Sequence, residues 1–239
     1  MVCVELKITK VLIPFKIKRT LPSSWAELSF FQASSLLPAI LSKNNLLVLA
    51  QLLRIKVWML DLIPDYAILQ LLEQISFMKE LPNTFTFDKI KNHKFTNLTE
   101  VTIIQWAYIE FFALKYAIDR KEEYLNKFIA AVYLKDNYTD ENINRFVDIN
   151  KMILNQKMFI YLVYQNERKD FIAKFPYVFP ASEATENEET SNKTQIIDFM
   201  HAFKLLNDVV NSRIYGTYTQ TCDTKLATIL FNKNLENQK

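Results

Sequence analysis

Histidine occurs only at positions 93 and 201, and cysteine only at positions 3 and 222. A zinc or other transition-metal site needs three or four such ligands at turn or helix spacing, and His93, His201, Cys3 and Cys222 do not provide it. Sequence alone leaves a Ser-His-Asp triad open, but no Gly-x-Ser-x-Gly elbow occurs and neither histidine lies near a nucleophile-like motif. A cysteine nucleophile needs a positive, partly exposed setting, and no sequence neighbour of Cys3 or Cys222 suggests one. Asp136, Asp140 and Glu141 resemble the opening of a calcium loop. The sixth-position glycine and closing glutamate are missing, so they read as helix caps. Glu122 and Glu123 fit the solvated start of a helix, and no pattern sets two acids on a shared concave face.

One glycine, Gly216, serves all 239 residues. Phosphate-cradling loops and dinucleotide folds need glycine for positive φ and close backbone approach. Walker and Rossmann architectures are therefore excluded. No catalytic, cofactor-binding or metal-ligating residue emerges, and the expectation is a protein that is not an enzyme and takes no cofactor.

Binding chemistry is better represented. The first 20 residues carry Lys7, Lys10, Lys16, Lys18 and Arg19 against a single acid, Glu5. A second basic stretch holds Lys89, Lys91 and Lys94, interleaved with Phe85, Phe87 and Phe95. Lysines alternating with aromatics can follow a phosphate backbone. They also protect exposed strand edges from aggregation, and a net charge of only +3 favours that plainer role. Trp106, Tyr108, Phe111, Phe112 and Tyr116 are spaced for a helix buried on more than one side. Core packing is the default for such a stripe, a partner groove the alternative.

The elements that would position these residues recur. Residues 24–32 run from Ser24 through Glu27 to Gln32, and residues 97–105 from Asn97 through Glu100 to Gln105. Both show a capping residue, a glutamate three later, then aliphatic, hydroxyl, two apolar residues and glutamine. Ser24 and Asn97 are expected to cap helices, with Glu27 and Glu100 reaching back. An alternating, lysine-bearing stretch precedes each copy and reads as a small hairpin. Further apolar helices follow, first over 45–58 and 122–134. The fold class expected is mainly α with small β-hairpins (α+β), built from two tandem hairpin-plus-three-helix repeats at 1–82 and 83–174.

Residues 175–194 read as a proline-bracketed and acidic linker. Residues 195–239 form a C-terminal helical segment, whose stripe of Phe199, Met200, Phe203, Leu206 and Val210 suits a partner surface. The apolar stretches 46–63 and 101–118 contain Arg54, Lys56 and Asp61, and Glu110 and Lys115. They read as buried helices, so no membrane partner is expected.

The stretch Leu21-Pro-Ser-Ser-Trp-Ala-Glu-Leu-Ser-Phe-Phe-Gln32 resembles a helix-start motif of small helical proteins encoded in phage and prophage structural-gene clusters of Bacteroidetes-type bacteria. Asp198 to Phe231, with Ile214-Tyr-Gly-Thr-Tyr218 and a short apolar helix, is similar to the C-terminal part of tail assembly chaperones. The resemblance covers about a third of the chain and transfers no functional residues. It implies a non-enzymatic assembly or virion structural protein that binds virion or tail components, or itself, through helical surfaces. Its place would be the cytoplasm of a bacterial host or the virion. The alternative is a nucleic-acid-binding protein using Lys7, Lys16, Lys18, Arg19, Lys89, Lys91 and Lys94 on two basic hairpins.

Overall fold

The computed structural model describes residues 2–8, 15–82, 89–90, 93–94, 97–133, 149, 151–179 and 204–238. The protein is mainly helical with small antiparallel hairpins. It divides into two compact units. Unit 1 comprises Met1–Pro82 with Leu154–Phe159, and unit 2 comprises Asn83–Ile153 with Ile160–Lys239.

In unit 1, β1 (Val2–Ile8) pairs with β2 (Phe15–Leu21), Val2 opposite Leu21 and Ile8 opposite Phe15. A 3-10 turn over Trp25–Glu27 follows, then α1 (Phe30–Leu41), α2 (Asn45–Leu53), a 3-10 segment (Val57–Leu62) and α3 (Asp65–Gln74). Trp25 organises the packing. Its ring meets Phe77 edge-on at 5.8 Å and Phe159 at 6.0 Å, and its indole N–H donates to the Glu80 carbonyl at 3.0 Å. A large apolar ring with one satisfied polar handle suits this position.

In unit 2, the hairpin β3 (Lys89–Ile90) and β4 (His93–Lys94) precedes α4 (Ile103–Asp119) and α5 (Glu122–Tyr133). Then come α6 (Leu154–Ile172), whose first turns belong to unit 1, α7 over residues 204–212, α8 (Tyr218–Cys222) and α9 (Leu226–Asn237). Phe128 lies between Tyr161 and Tyr164 at 5.4 and 5.1 Å, and Tyr116 meets Tyr161 at 5.2 Å. Trp106, Phe112 and Tyr116 are buried and Tyr108 is half-buried, while Phe111 sits at the surface with the Lys115 ammonium 6.0 Å from its ring. The aromatic stripe of α4 is core.

The two sequence copies share local geometry, with different caps from those expected. The Ser24 side chain makes no capping bond, and Glu27 accepts instead from the Ser23 amide at 2.7 Å. The cap of α1 is Ser29, in a reciprocal box with Gln32. In the second copy Asn97 closes a turn onto Thr99, and Thr102 caps α4 by accepting from the Gln105 amide at 3.3 Å. The hydroxyl and glutamine of the shared pattern are therefore the true cap signature, five residues after the position expected. Ahead of each cap the same turn forms: Glu27 N–H donates to the Ser24 carbonyl, and Glu100 N–H to that of Asn97.

Helix ends show how a glycine-poor chain stops its helices. Lys43, Arg54, Arg120 and Arg213 all adopt left-handed backbone, with φ of 53–54°. At the end of α1 the Asn44 amide reaches Ala39 and the Lys43 amide reaches Ile40; at the end of α2, Ile55 reaches Ala50 and Arg54 reaches Gln51. These are Schellman closures with a cation where glycine is usual. The left-handed conformation costs an L-residue about 1–2 kcal/mol. A positive charge at the carboxyl end of a helix returns roughly 0.3–1 kcal/mol of that. Arg54 is why α2 ends at Leu53 and not at residue 58 as the sequence suggests.

The C-terminal residues correct a second expectation, a segment standing apart from the body. Leu226, Ile229 and Leu230 are fully buried within unit 2. The Leu226 amide donates to Val101 and the Ile103 amide to Thr224, both at 2.9 Å, flanking a bridge between Thr102 and Lys225. Lys225 also pairs with Glu100 at 2.8 Å. α9 therefore holds the start of α4. Of residues 175–194, expected as a linker, 175–179 pack on unit 2, with Phe179 against Trp106 and Phe175 against Phe171, and 180–194 lie outside the described residues.

Candidate functional site

Unit 1 holds a cleft of about 510 Å³ where β2, the 3-10 turn, the first turn of α1 and the end of α2 meet. β2 contributes Lys18, Arg19 and Thr20, α2 contributes Leu52 and its cap Arg54, and Leu28 and Gln32 close another side. Pairing with β1 sets the register of Lys18 and Arg19, and the left-handed turn fixes where Arg54 starts. Arg19 is held in place: Nε donates to the Leu53 carbonyl at 2.9 Å and Nη1 to the Lys18 carbonyl at 3.1 Å. Glu27 is the one carboxylate in the lining, and the Ser23 amide and hydroxyl engage it at 2.7 and 3.1 Å. Cys3, opposite Thr20 in the hairpin, is exposed in the same lining. Nothing in the sequence pattern places Cys3 in one lining with Lys18, Arg19 and Arg54, because that comes from strand pairing and helix packing.

Unit 2 contains a buried charge network. The Glu110 carboxylate, on α4, is fully enclosed; Arg168 Nε donates to its oxygens at 2.9 and 2.8 Å, and Tyr164 Oη donates at 2.6 Å. Tyr164 and Arg168 stand four apart on α6 and so share a helix face. Burial, with the Glu110 charge beside it, holds the Tyr164 phenol well above its ordinary range. Arg168 and Tyr164 both donate to an enclosed carboxylate, the arrangement of a structural ion pair. Its neighbour Glu167 is pushed up to about 7 by burial, against a hydrogen bond from the Leu98 amide and the charge of Lys174.

The remaining sequence candidates are dispersed. The strand register sets Lys7 opposite Lys16 and Lys89 opposite Lys94. Lys18 and Arg19 are exposed, and Lys91 lies outside the described residues. Leu206 and Val210 are half-buried on α7, while their neighbours Leu205 and Val209 take the inward positions. Phe199, Met200 and Phe203 lie outside the described residues. Among the described residues no group of three or more metal-ligating side chains occurs. Nor is any helix among them long and apolar enough to cross a membrane.

Apolar exposure is concentrated differently from the expected stripe. Neither α1 nor α2 contains a charged residue. Phe31 is 68% exposed on α1, with Leu41 and Leu46 also open at the corner joining the two helices. On α3, Tyr66 and Leu69, one turn apart, are 69% and 67% exposed. No known protein family, curated protein or solved structure matches the chain.

Proposed function

We propose that the protein is a non-enzymatic assembly protein that binds polypeptide, in the first place further copies of itself, through the α1–α2 face of unit 1. The observation that carries this reading is the charge-free composition of α1 and α2 together with the exposure of Phe31, Leu41 and Leu46. A helix whose outer face meets only water normally carries charges there. Interface cores are depleted in charge and enriched in aromatic and large apolar residues. The resemblance of the Trp25 motif and the C-terminal segment to phage structural and tail-assembly proteins points to virion or tail components as the setting. It does not point to Leu206 and Val210 as the contact, because their helix is packed into unit 2 through Leu205 and Val209.

Sedimentation of the full chain and of a Phe31→Glu, Leu46→Glu variant tests this. Wild type should sediment as an assembly at micromolar concentration and the variant as a monomer with unchanged helical content. A wild-type chain that stays monomeric to about 100 µM, well beyond the micromolar affinities of ordinary specific interfaces, refutes the reading.

A second reading, nucleic-acid contact by the hairpins, has one observation in its favour. Both hairpins set lysine opposite lysine in the strand register, and basic ribbons of this kind can follow a phosphate backbone.

A further inference from the structure

The cleft of unit 1 brings together three cations that the chain leaves to solvent. Among the described residues Lys18, Arg19 and Arg54 form no ion pair, although all three line one concavity with a single carboxylate, Glu27. Carbonyls hold two of the Arg19 donors, which fixes the guanidinium plane and leaves the other N–H groups of the fork available. The backbone of Arg54 is fixed as well, by the closure at the end of α2. Leu28 and Leu52 supply an apolar wall beside these charges.

We propose that this cleft binds a small organic phosphate, its phosphoryl group met by Arg19 and Arg54, with Lys18, on the other face of the strand, at the rim, and its carbon skeleton lying against Leu28 and Leu52. The volume of about 510 Å³ falls in the range of small-molecule sites, roughly 300–1,000 Å³. Two arginines beside one carboxylate already engaged by Ser23 favour a dianion over a single carboxylate. A chain whose only glycine is Gly216 has no backbone cradle for phosphate, so recognition must come from side chains, and arginine forks match phosphate oxygens in pairs. The cleft is less suited to single-stranded nucleic acid, which stacks its bases on aromatic platforms, because no aromatic residue lines it.

Calorimetric titration of the full chain with glucose 6-phosphate, AMP, inorganic phosphate and a 12-nucleotide single-stranded DNA provides the test. At least one organic monophosphate should bind more tightly than inorganic phosphate. Arg54→Gly keeps the left-handed turn that glycine prefers, so the fold is retained while one cation is lost. Arg54→Gly should weaken binding about tenfold or more and Lys18→Gln by less, with melting temperatures no lower than wild type. Absence of binding by every monophosphate at millimolar concentration would overturn the proposal. So would unchanged affinity in both variants, or binding by the DNA alone.

Discussion

Replacing Arg168 with methionine should destabilise unit 2 by about 3–5 kcal/mol at pH 8, the usual consequence of removing one partner of a buried ion pair. Glu110 is fully enclosed and depends on Arg168 for two contacts, at 2.9 and 2.8 Å. Methionine fills much of the arginine volume, so the loss is chiefly electrostatic. The neutral hydroxyl of Tyr164 does not replace the lost cation in offsetting the desolvation of a carboxylate. A carboxyl stripped of its cation in such a site takes up a proton more readily, so the deficit should shrink as pH falls towards 5. The double variant Glu110→Gln, Arg168→Met removes both charges and should recover most of the loss. Native-state hydrogen exchange of the amides of α4 and of α6 from residue 160 onward reads the opening free energy of this region of unit 2. A single-variant loss below about 1 kcal/mol, or a loss independent of pH, would refute the reasoning.

Arg120→Gly at the end of α4 should raise stability by up to about 1 kcal/mol, since glycine adopts the observed φ of 54° without steric cost; a melting temperature below wild type would contradict this. Glu167 has a folded-state pKa raised to about 7, so the folded state binds the extra proton. Its contribution is fully present below about pH 4.5 and is lost as pH rises to about 7. Glu167→Gln, able to keep the Leu98 bond, should remove that decline and stabilise the protein at pH 8 by roughly 1–3 kcal/mol in urea titrations, with little change at pH 4. Deleting residues 217–239 removes Leu226, Ile229 and Leu230 from the core, a loss of roughly 5–9 kcal/mol against a typical total of 5–15. Hydrogen exchange should then show unit 2 open and unit 1 protected, whereas a fully protected unit 2 would mean that the segment is removable after all.

The fold class was legible because apolar spacing at three and four residues dominates α4 and α5, and alternation dominates β1 and β2. Helix ends were not, because left-handed Lys43, Arg54 and Arg120 carry no compositional mark; a reader who relies on glycine to find helix ends passes over all three. The caps were misplaced for a related reason. Ser24 and Ser29 both precede a plausible partner, Glu27 and Gln32, and the tight turn at Trp25 decides between them. In the C-terminal segment the acidic stretch before it suggested detachment, and nothing local announces that Leu226 bonds to Val101. The cleft lay beyond sequence reading too. Lys18 and Arg19 were marked as basic, but Arg54 stands 35 residues further on and joins them only through the packing of α2 against β2. Glu110 was noted as a charge in an apolar helix, and its partners Tyr164 and Arg168 are set by tertiary contact.

Self-association through α1 and α2 is tested most directly by hydrogen exchange of the full chain at about 1 and about 100 µM, concentrations that span the affinity of an ordinary specific interface. Amides in α1 and α2 should exchange more slowly at the higher concentration, while those of α9 stay unchanged. Identical rates in α1 and α2 at both concentrations would contradict the account.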